Sequence, residues 1–258
     1  MGRQVLKKRI IPVQLLIENR LVKTIKFDKY RDVGNPISSS KIYSDSDADE
    51  LVLLNISRNS RNVKDIISLI QKISEVCFMP LSIGGGIRNL SDVNQLIRNG
   101  ADKIIINSAV YQNKSIIKQI SENFGKQAVI VSIDVKRNAN DGTHSLWSDC
   151  GRVLEKVGLH EHISHCVDQG AGEILINSID ADGTMKGYDV SLIKSVVESV
   201  KIPVIGCGGA GNFNHLRDTF LKTNVSALAC GSLFNFGDNN PIRAKAFLKN
   251  YNLPFKVI

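Results

Sequence analysis

The 258-residue sequence has no apolar run near the roughly 20 residues that a membrane-spanning helix needs, so no membrane association is expected. It has no C-x-x-C pair, and its five cysteines are widely spaced, which excludes a zinc ribbon and a thioredoxin-type redox motif. No proline-rich, low-complexity or strongly charged stretch marks a domain boundary. These absences favour one domain, residues 1–258, with free thiols in a reducing compartment.

The amino-terminal stretch is basic and then apolar, but it offers no small-residue cleavage site, and we therefore expect a cytoplasmic protein. The net charge is +8, which is compatible with an anionic ligand or with nucleic acid. No basic run is interleaved with aromatic residues. A basic solvated surface is thus favoured, and no nucleic-acid partner is expected.

Short runs rich in Ile, Val and Leu recur along the chain, each too short for a buried helix and typical of strands covered on both faces. There are eight such runs: Ile10–Ile17, Leu51–Ile56, Met79–Ile83, Lys103–Ile106, Ala128–Ile133, Glu173–Asn177, Ile202–Gly206 and Val225–Cys230. Amphipathic stretches separate them: Asn62–Cys77, Ser91–Asn99 with a Ser cap, Asn113–Asn123 and Val190–Val200. Eight strand–helix units predict an α/β fold, a closed (β/α)8 TIM barrel, with a doubly wound open sheet as the alternative.

The sequence also contains an internal repeat with an offset of 123 positions. Residues 48–52 resemble residues 171–175, and residues 79–86 resemble residues 202–209. One offset shared by two separated motifs predicts two half-barrels that close on each other. Such a pseudo-twofold barrel carries two equivalent sites on its rim.

Glycine loops follow the third and the seventh strand, at residues 84–86 and at Gly208 and Gly209. Each is accompanied one unit later by a small polar loop, 107–108 in the first half and 231–232 in the second. Glycines let backbone N–H groups approach an anion closely. Tight turns at strand ends would explain one such loop, but two at the same offset favour phosphate binding, and a ligand phosphorylated at both ends would suit them.

Carboxylates follow the fifth and the sixth strand, where a barrel places acid–base groups. Asp134 ends an apolar strand, whereas Asp180 and Asp182 could instead serve as a cap and a turn residue. The cluster of His160, His162, His165 and Cys166 invites a metal interpretation. A polar helix face explains it better, and no metal site is expected.

Several motifs together make the chain resemble a known family. They are Lys-Arg-Ile-Ile-Pro at 8–12, Leu-Ser-Ile-Gly-Gly-Gly-Ile-Arg at 81–88, Gly-Ala-Asp-Lys at 100–103, Ile-Asp-Val-Lys-Arg at 133–137, Asp-Ala-Asp-Gly-Thr at 180–184 and Gly-Gly-Ala-Gly at 208–211. With them the chain resembles, end to end, the cyclase subunit of imidazole glycerol phosphate synthase. The resemblance implies a (β/α)8 barrel without a cofactor. A glutaminase subunit docked at the bottom would supply ammonia, which passes up the barrel to a bis-phosphorylated small molecule.

The resemblance also implies roles for individual residues. The phosphate and substrate contacts fall on Gly85, Gly86, Asn107, Ser108, Asp182, Gly208, Gly209, Gly231 and Ser232. A salt-bridged ammonia gate at the barrel's bottom falls on Arg9, Glu50, Lys103 and Glu173, and Asp102 matches a position at the glutaminase interface. Asp134 matches the catalytic aspartate of the fifth strand.

The first strand departs from the family pattern, because its catalytic aspartate falls on Leu15, which cannot move a proton. Asn55 likewise stands where the family has an aspartate on the second strand, and Asn177 holds a polar position on the sixth. With this departure the chain resembles a divergent branch found with a glutaminase and a sugar amidotransferase in surface-polysaccharide gene clusters.

Three hypotheses follow from the sequence. In the first, the chain is a lyase- or synthase-type subunit that channels ammonia for the amidation of a phosphorylated or sugar substrate. In the second, it is a genuine cyclase of histidine biosynthesis. The third, a scaffold or nucleic-acid binder without catalysis, fits poorly with the glycine loops and the charged gate residues.

Overall fold

Eight parallel strands form a closed barrel in the computed structural model, which describes residues 7–58, 61–139 and 141–256. The barrel strands are β1 (Arg9–Ile17), β4 (Leu51–Asn55), β5 (Leu81–Gly84), β6 (Lys103–Ile106), β7 (Val129–Arg137), β10 (Glu173–Ser178), β11 (Val204–Cys207) and β12 (Ala227–Cys230). Each pairs with its neighbours in this order, and β12 returns to β1. The predicted (β/α)8 barrel is confirmed, and the open-sheet alternative is wrong.

Side chains alternate between the inside and the outside of the barrel, as the period of a strand requires. The inward set forms an apolar cluster of Ile11, Val13, Val52, Ile105, Ile130, Leu175, Ile205, Ala227 and Ala229. The outward set packs against the helices in a larger core. Both faces of each strand are thus buried, which explains the nearly continuous apolar runs.

Helices surround the barrel and follow the strands along the chain. They are α1 (Pro36–Asp45), α2 (Lys64–Ser74), α3 (Leu90–Arg98), α4 (Ser108–Gln112), α5 (Ile116–Phe124), α6 (Leu159–Asp168), α7 (Val190–Ser199), α8 (Phe213–Thr223), α9 (Ser232–Asn235) and α10 (Pro241–Lys249). A short 3-10 turn, Lys126–Ala128, precedes β7. In α2 the buried residues Ile66, Leu69, Ile70 and Ile73 lie on one face, as expected for the amphipathic stretch Asn62–Cys77.

Helix starts are fixed by asparagine side chains more than the sequence suggested. Asn89, not Ser91, caps α3, because its side chain accepts a hydrogen bond from the Asp92 backbone N–H. Asn212 and Asn240 cap α8 and α10 in the same way. Each of these side chains satisfies a backbone donor that the first helical turn leaves free.

Two antiparallel hairpins at the carboxyl-terminal ends of the barrel strands lie outside the eight predicted runs. The first joins β2 (Arg20–Thr24) to β3 (Tyr30–Gly34), and the second joins β8 (His144–Ser148) to β9 (Val153–Glu155). They pair with the ends of β1 and β7 and extend those strands beyond the barrel. β3, β8 and β9 are polar and partly exposed, and β2 is buried but short, so all four lack the long apolar run by which the barrel strands were recognised.

Some predicted strand boundaries also differ from the structure. β5, β11 and β12 begin two residues later than the apolar runs do. Pro80 and Pro203 precede the first two of these strands, and proline has no N–H to donate to a ladder. In the part of the chain that the structure describes, no helix has the length and apolarity needed to cross a bilayer.

Candidate active site at the upper end of the barrel

A deep pocket opens at the carboxyl-terminal ends of the barrel strands, which we call the upper end. The sequence-predicted residues that line it are Gly85, Gly86, Asn107, Ser108, Asp134, Asp182, Gly208, Gly209, Gly231 and Ser232. The closed barrel therefore gathers loops from six strands around one cavity. This is the end at which (β/α)8 barrels carry their active sites.

Asp134 is the buried acid of this pocket, with 7% of its surface exposed. Asn107 Nδ2 donates to its Oδ2 at 2.7 Å, and Asn177 Nδ2 donates to its Oδ1 at 3.3 Å. Burial raises the pKa of Asp134 to about 7, and the charge of Asp182 adds to the rise, while the two amides oppose it. A carboxyl group with a pKa near neutrality can both donate and accept a proton at physiological pH.

Leu15, at the end of β1, also lines the pocket and packs against the apolar barrel interior. Its register partner across the sheet is Leu54 of β4, another pocket residue. The first-strand side of the pocket is therefore apolar. No proton can be exchanged by these two side chains.

An ion pair that the sequence analysis missed connects the first hairpin to the pocket. Lys23 Nζ lies 2.8 Å from Asp182 Oδ1, and Thr24 Oγ1 donates to Asp182 Oδ2 at 2.9 Å. All three side chains are buried. Asp182 is thereby paired with a cation, whereas the two hydrogen bonds of Asp134 come from uncharged amides.

Both glycine loops need glycine for steric reasons. Gly85 has φ +97° and Gly209 has φ +107°, in the left-handed region that residues with a side chain avoid. A Cβ on Gly85 would lie 2.1 Å from Asn55 O, and one on Gly209 would lie 2.0 Å from Gly187 O. The turns thus account for the glycines, and phosphate binding by these loops remains a prediction.

The small polar loops differ in how their hydroxyl groups are engaged. Ser232 Oγ is buried and has no hydrogen-bond partner among the described residues. Ser108 Oγ, in contrast, accepts a hydrogen bond of 3.0 Å from the Asp149 backbone N–H. Ser232 Oγ therefore has no such contact to displace, whereas Ser108 Oγ accepts from the second hairpin and can still donate its hydroxyl proton to a ligand.

The turn of the first hairpin folds over the pocket. The backbone N–H of Lys26 donates to Asp182 O at 2.9 Å, and Arg58 donates to Phe27 O at 2.6 Å. Phe27, Arg58 and Arg61 all line the pocket. Sequence reasoning missed these residues, because they lie in loops whose contacts depend on the barrel's closure.

At the opposite, lower end, the structure brings the four predicted gate residues into one ring. Arg9 pairs with Glu50 at 2.8 Å and also with Glu173. Lys103 Nζ pairs with Glu50 Oε2 at 2.8 Å and with Glu173 Oε1 at 2.6 Å. The two glutamates are 123 positions apart, which is the offset of the internal repeat.

The charges in this ring stabilise one another. Burial opposes ionisation of Glu173, but hydrogen bonds and charge from Arg9 and Lys103 hold its pKa below the ordinary value. The two glutamates raise the pKa of Arg9 against the effect of burial. Because the pKa of Glu173 is lowered and that of Arg9 is raised, this pair is expected to stay ionised across neutral pH. Removing one partner of such a buried pair typically costs about 3–5 kcal/mol of stability.

Asp102 lies next to the ring on the lower rim and is exposed. Its Oδ2 accepts a hydrogen bond of 2.8 Å from the Leu81 backbone N–H at the start of β5. This contact gives it a structural role, and its exposure leaves it accessible to a partner.

The histidines of α6 do not form a metal centre. His162 is buried, its ring stacks on Tyr111 at 4.5 Å, and burial lowers its pKa to about 4. Across the described ranges 7–58, 61–139 and 141–256, no group of three or more His, Cys, Asp or Glu side chains could hold a metal ion.

Comparison with known proteins agrees with this architecture. A family model described as histidine biosynthesis protein matches residues 9–240. "Imidazole glycerol phosphate synthase subunit HisF" of Bacillus cereus is 39% identical over 256 residues, covering 98% of this chain and 100% of that protein. The protein of the same name from Streptococcus mutans is 36% identical over 248 residues, covering 96% and 98%. The chain therefore belongs to the histidine biosynthesis protein family and, within it, is related to the HisF synthase subunits.

Proposed function

We propose that this chain is the ammonia-using barrel subunit of a glutamine-dependent synthase and acts on a phosphorylated small molecule. The observation that carries the proposal is the ring of Arg9, Glu50, Lys103 and Glu173, which closes the lower end of a barrel whose upper end holds Asp134. The inward residues between the two ends are mostly apolar, include the small side chains of Ala227 and Ala229, and are joined by the hydroxyl groups of Ser82 and Ser132. Uncharged ammonia can enter such an interior at a much smaller desolvation cost than an ammonium ion.

A glutaminase subunit at the lower face would supply the ammonia. The charged ring faces that end, and the exposed Asp102 lies beside it. The HisF relatives are by name subunits of a synthase, which agrees with a partner chain. All five cysteines are free thiols, which agrees with the proposed cytoplasmic location.

At the upper end, the two glycine loops would hold two phosphate groups of the substrate. Their backbone turns are alike in φ, and the pocket is lined by Ser232, whose Oγ has no hydrogen-bond partner among the described residues. Asp134 would then exchange a proton with the reacting atoms between the two phosphates. Its pKa near 7 suits that role.

Two acceptors remain candidates for the aminated substrate. The names of the relatives favour the imidazole glycerol phosphate cyclase reaction of histidine biosynthesis. Leu15 favours a different acceptor, such as a sugar derivative in surface-polysaccharide formation with a sugar amidotransferase as a further partner, because the family's second acid is missing at that position.

An ammonia-dependent cyclase assay on the purified chain decides between them. If Leu15 removes one of two acids, turnover should be about 10²–10⁴-fold below that of a HisF relative measured in parallel. Leu15→Asp should recover part of this loss, whereas Leu15→Asn, which has the same shape but no acid, should not. Turnover equal to the relative's would establish the histidine-pathway cyclase instead.

A further inference from the structure

The turn of the second hairpin reaches into the mouth of the first glycine loop. The Asp149 backbone N–H donates to Ser108 Oγ, and the Asp149 carboxylate forms an ion pair with Arg61. Arg61 also donates to Cys150 Sγ at 3.1 Å. The hairpin turn is therefore attached to two residues that border the first predicted phosphate site.

Arg61 itself belongs to the wall of that site. A Cβ built on Gly86 would lie 3.0 Å from Arg61 O, so the two backbones are in direct contact. The Arg61 side chain lines the pocket and is about one-fifth exposed. Its backbone thus lies against the first glycine loop, and its guanidinium group, with a carboxylate bound to it, belongs to the same pocket.

Positive charge accumulates at this position. Arg152 pairs with the same Asp149 at 2.8 Å, and Arg58 lines the pocket nearby. The thiol of Cys150 reports the combined field, because burial raises its pKa while Arg61, Arg152 and Arg58 each lower it. Two guanidinium groups paired with one carboxylate, with Arg58 close enough to act on Cys150, leave an excess of positive charge for a second anion.

The backbone of the turn is strained. Asp149, Cys150 and Gly151 have φ values of +50°, +57° and +77°, all in the left-handed region. The first two are not glycine, and such conformations typically cost about 1 kcal/mol or more each. The ion pair with Arg61 offsets this cost, so a competing anion that takes Arg61 would allow the turn to relax.

We propose that Arg61 is a substrate-binding residue for the phosphate at the first glycine loop, and that Asp149 occupies its guanidinium group until that phosphate displaces it. This inference rests on the phosphate-binding part of the proposed function. A planar guanidinium group binds a phosphate dianion through two parallel hydrogen bonds. The dianion also carries more negative charge than the single carboxylate of Asp149.

The second glycine loop has a different cation beside it. The positions 123 residues after Arg58 and Arg61 are Ala181 and Thr184, both uncharged. The side chain of Lys23 lies against Gly231 instead, with its Nζ paired to Asp182. The two ends of a bis-phosphorylated substrate would therefore meet different cations, a guanidinium group at the first loop and an ammonium group at the second, and this difference would fix the direction in which the substrate lies across the barrel.

The test is a double-mutant cycle read with inorganic phosphate and the fluorescence of Trp147. This residue is the chain's single tryptophan, and it lies in β8, two positions before Asp149. Its emission therefore reports movement of the hairpin and separates the first site from the second. Asn tolerates a left-handed backbone, so Asp149→Asn is expected to keep the turn folded.

Arg61→Gln should weaken phosphate binding by about 10-fold or more, since hydrogen bonds to a charged group are lost. Asp149→Asn should tighten phosphate binding by about 2- to 5-fold, because Arg61 no longer has to leave a partly exposed ion pair. In the Arg61→Gln background, Asp149→Asn should no longer have this effect. Phosphate should also shift the emission of Trp147 in the original chain.

Arg20→Gln and Asp32→Asn are the matched controls, because these residues form an exposed Arg–Asp pair outside the pocket. They should leave phosphate affinity unchanged. If phosphate binds but Asp149→Asn acts equally with and without Arg61, or Trp147 does not respond, this inference is wrong while the phosphate site stands. If neither the original chain nor Asp149→Asn binds phosphate, the inference and the proposed phosphate site both fail.

Discussion

Asp134 shows how one residue acquires its chemistry from burial. It lies in the buried part of β7 and contacts two amides, each of which has an Oδ1 with no hydrogen-bond partner among the described residues. A carboxyl group with a pKa of about 7 instead of the ordinary 3.8 is protonated for much of its time at neutral pH. The folded state therefore holds a proton that the unfolded chain has released.

The sign of this linkage gives a prediction for stability. Between about pH 4 and pH 7 the folded state binds more protons than the unfolded chain, so stability should fall as pH rises through that window. Asp134→Asn removes this dependence, since Asn107 and Asn177 can turn their free oxygens towards the new amide. Above pH 7 the free energy of unfolding of the variant should exceed that of the original chain by on the order of 4 kcal/mol. Below pH 4 the two free energies should differ little.

Urea unfolding of both proteins from pH 4 to pH 8 measures this difference. Turnover provides the second readout, because Asp134→Asn should reduce it by about 10²-fold or more at every pH. A stability difference that does not change with pH would contradict the raised pKa, whatever happens to activity.

At the scale of elements, the two glycine loops are turns with no room for a side chain. Gly85→Ala and Gly209→Ala place a methyl group within about 2 Å of a backbone oxygen at a positive φ. Gly237→Ala is the matched control, because Gly237 has φ +109° but nothing within 4 Å of its Cβ position. The control isolates the conformational cost, which is typically about 1 kcal/mol.

We expect the two loop variants to lose roughly 1–3 kcal/mol more of their free energy of unfolding than Gly237→Ala does, because the clash forces the loop to shift. The free energy of unfolding, measured by chemical denaturation, checks this. Equal losses in all three variants would show that the loops have more room than their contacts indicate.

At the scale of the whole molecule, the lower ring and the upper pocket are linked only through the barrel. Lys103→Glu would leave three carboxylates around Arg9 and break both contacts of Lys103. We expect Lys103→Glu to reduce the glutamine-dependent activity of the assembled complex by about 10-fold or more, because a buried charge pair of the ring is lost. Activity with added ammonium should fall less.

Lys118→Glu provides the control for this experiment, since Lys118 is an exposed lysine of α5 in a loose pair with Glu122. It should change neither activity. Equal losses with glutamine and with ammonium in Lys103→Glu would point to a general defect of the barrel rather than to ammonia transfer.

Much of this molecule is determined by local sequence pattern. The eight apolar runs specify the barrel strands because each strand is buried on both faces. The repeat with an offset of 123 positions places the glycine loops and the two ring glutamates at equivalent positions. Glycine and charge at strand ends are visible in any sequence, so these residues could be identified before the fold was known.

Only the tertiary structure decides what the loops between those strands contact. The ion pairs of Lys23 with Asp182 and of Arg61 with Asp149 join residues 159 and 88 positions apart, and no local pattern encodes such distances. The pKa of Asp134 likewise depends on burial that the closed barrel creates. Sequence thus determines which chemical groups stand at the barrel's ends, and chain closure decides which of them meet, because their interactions act through space rather than along the chain.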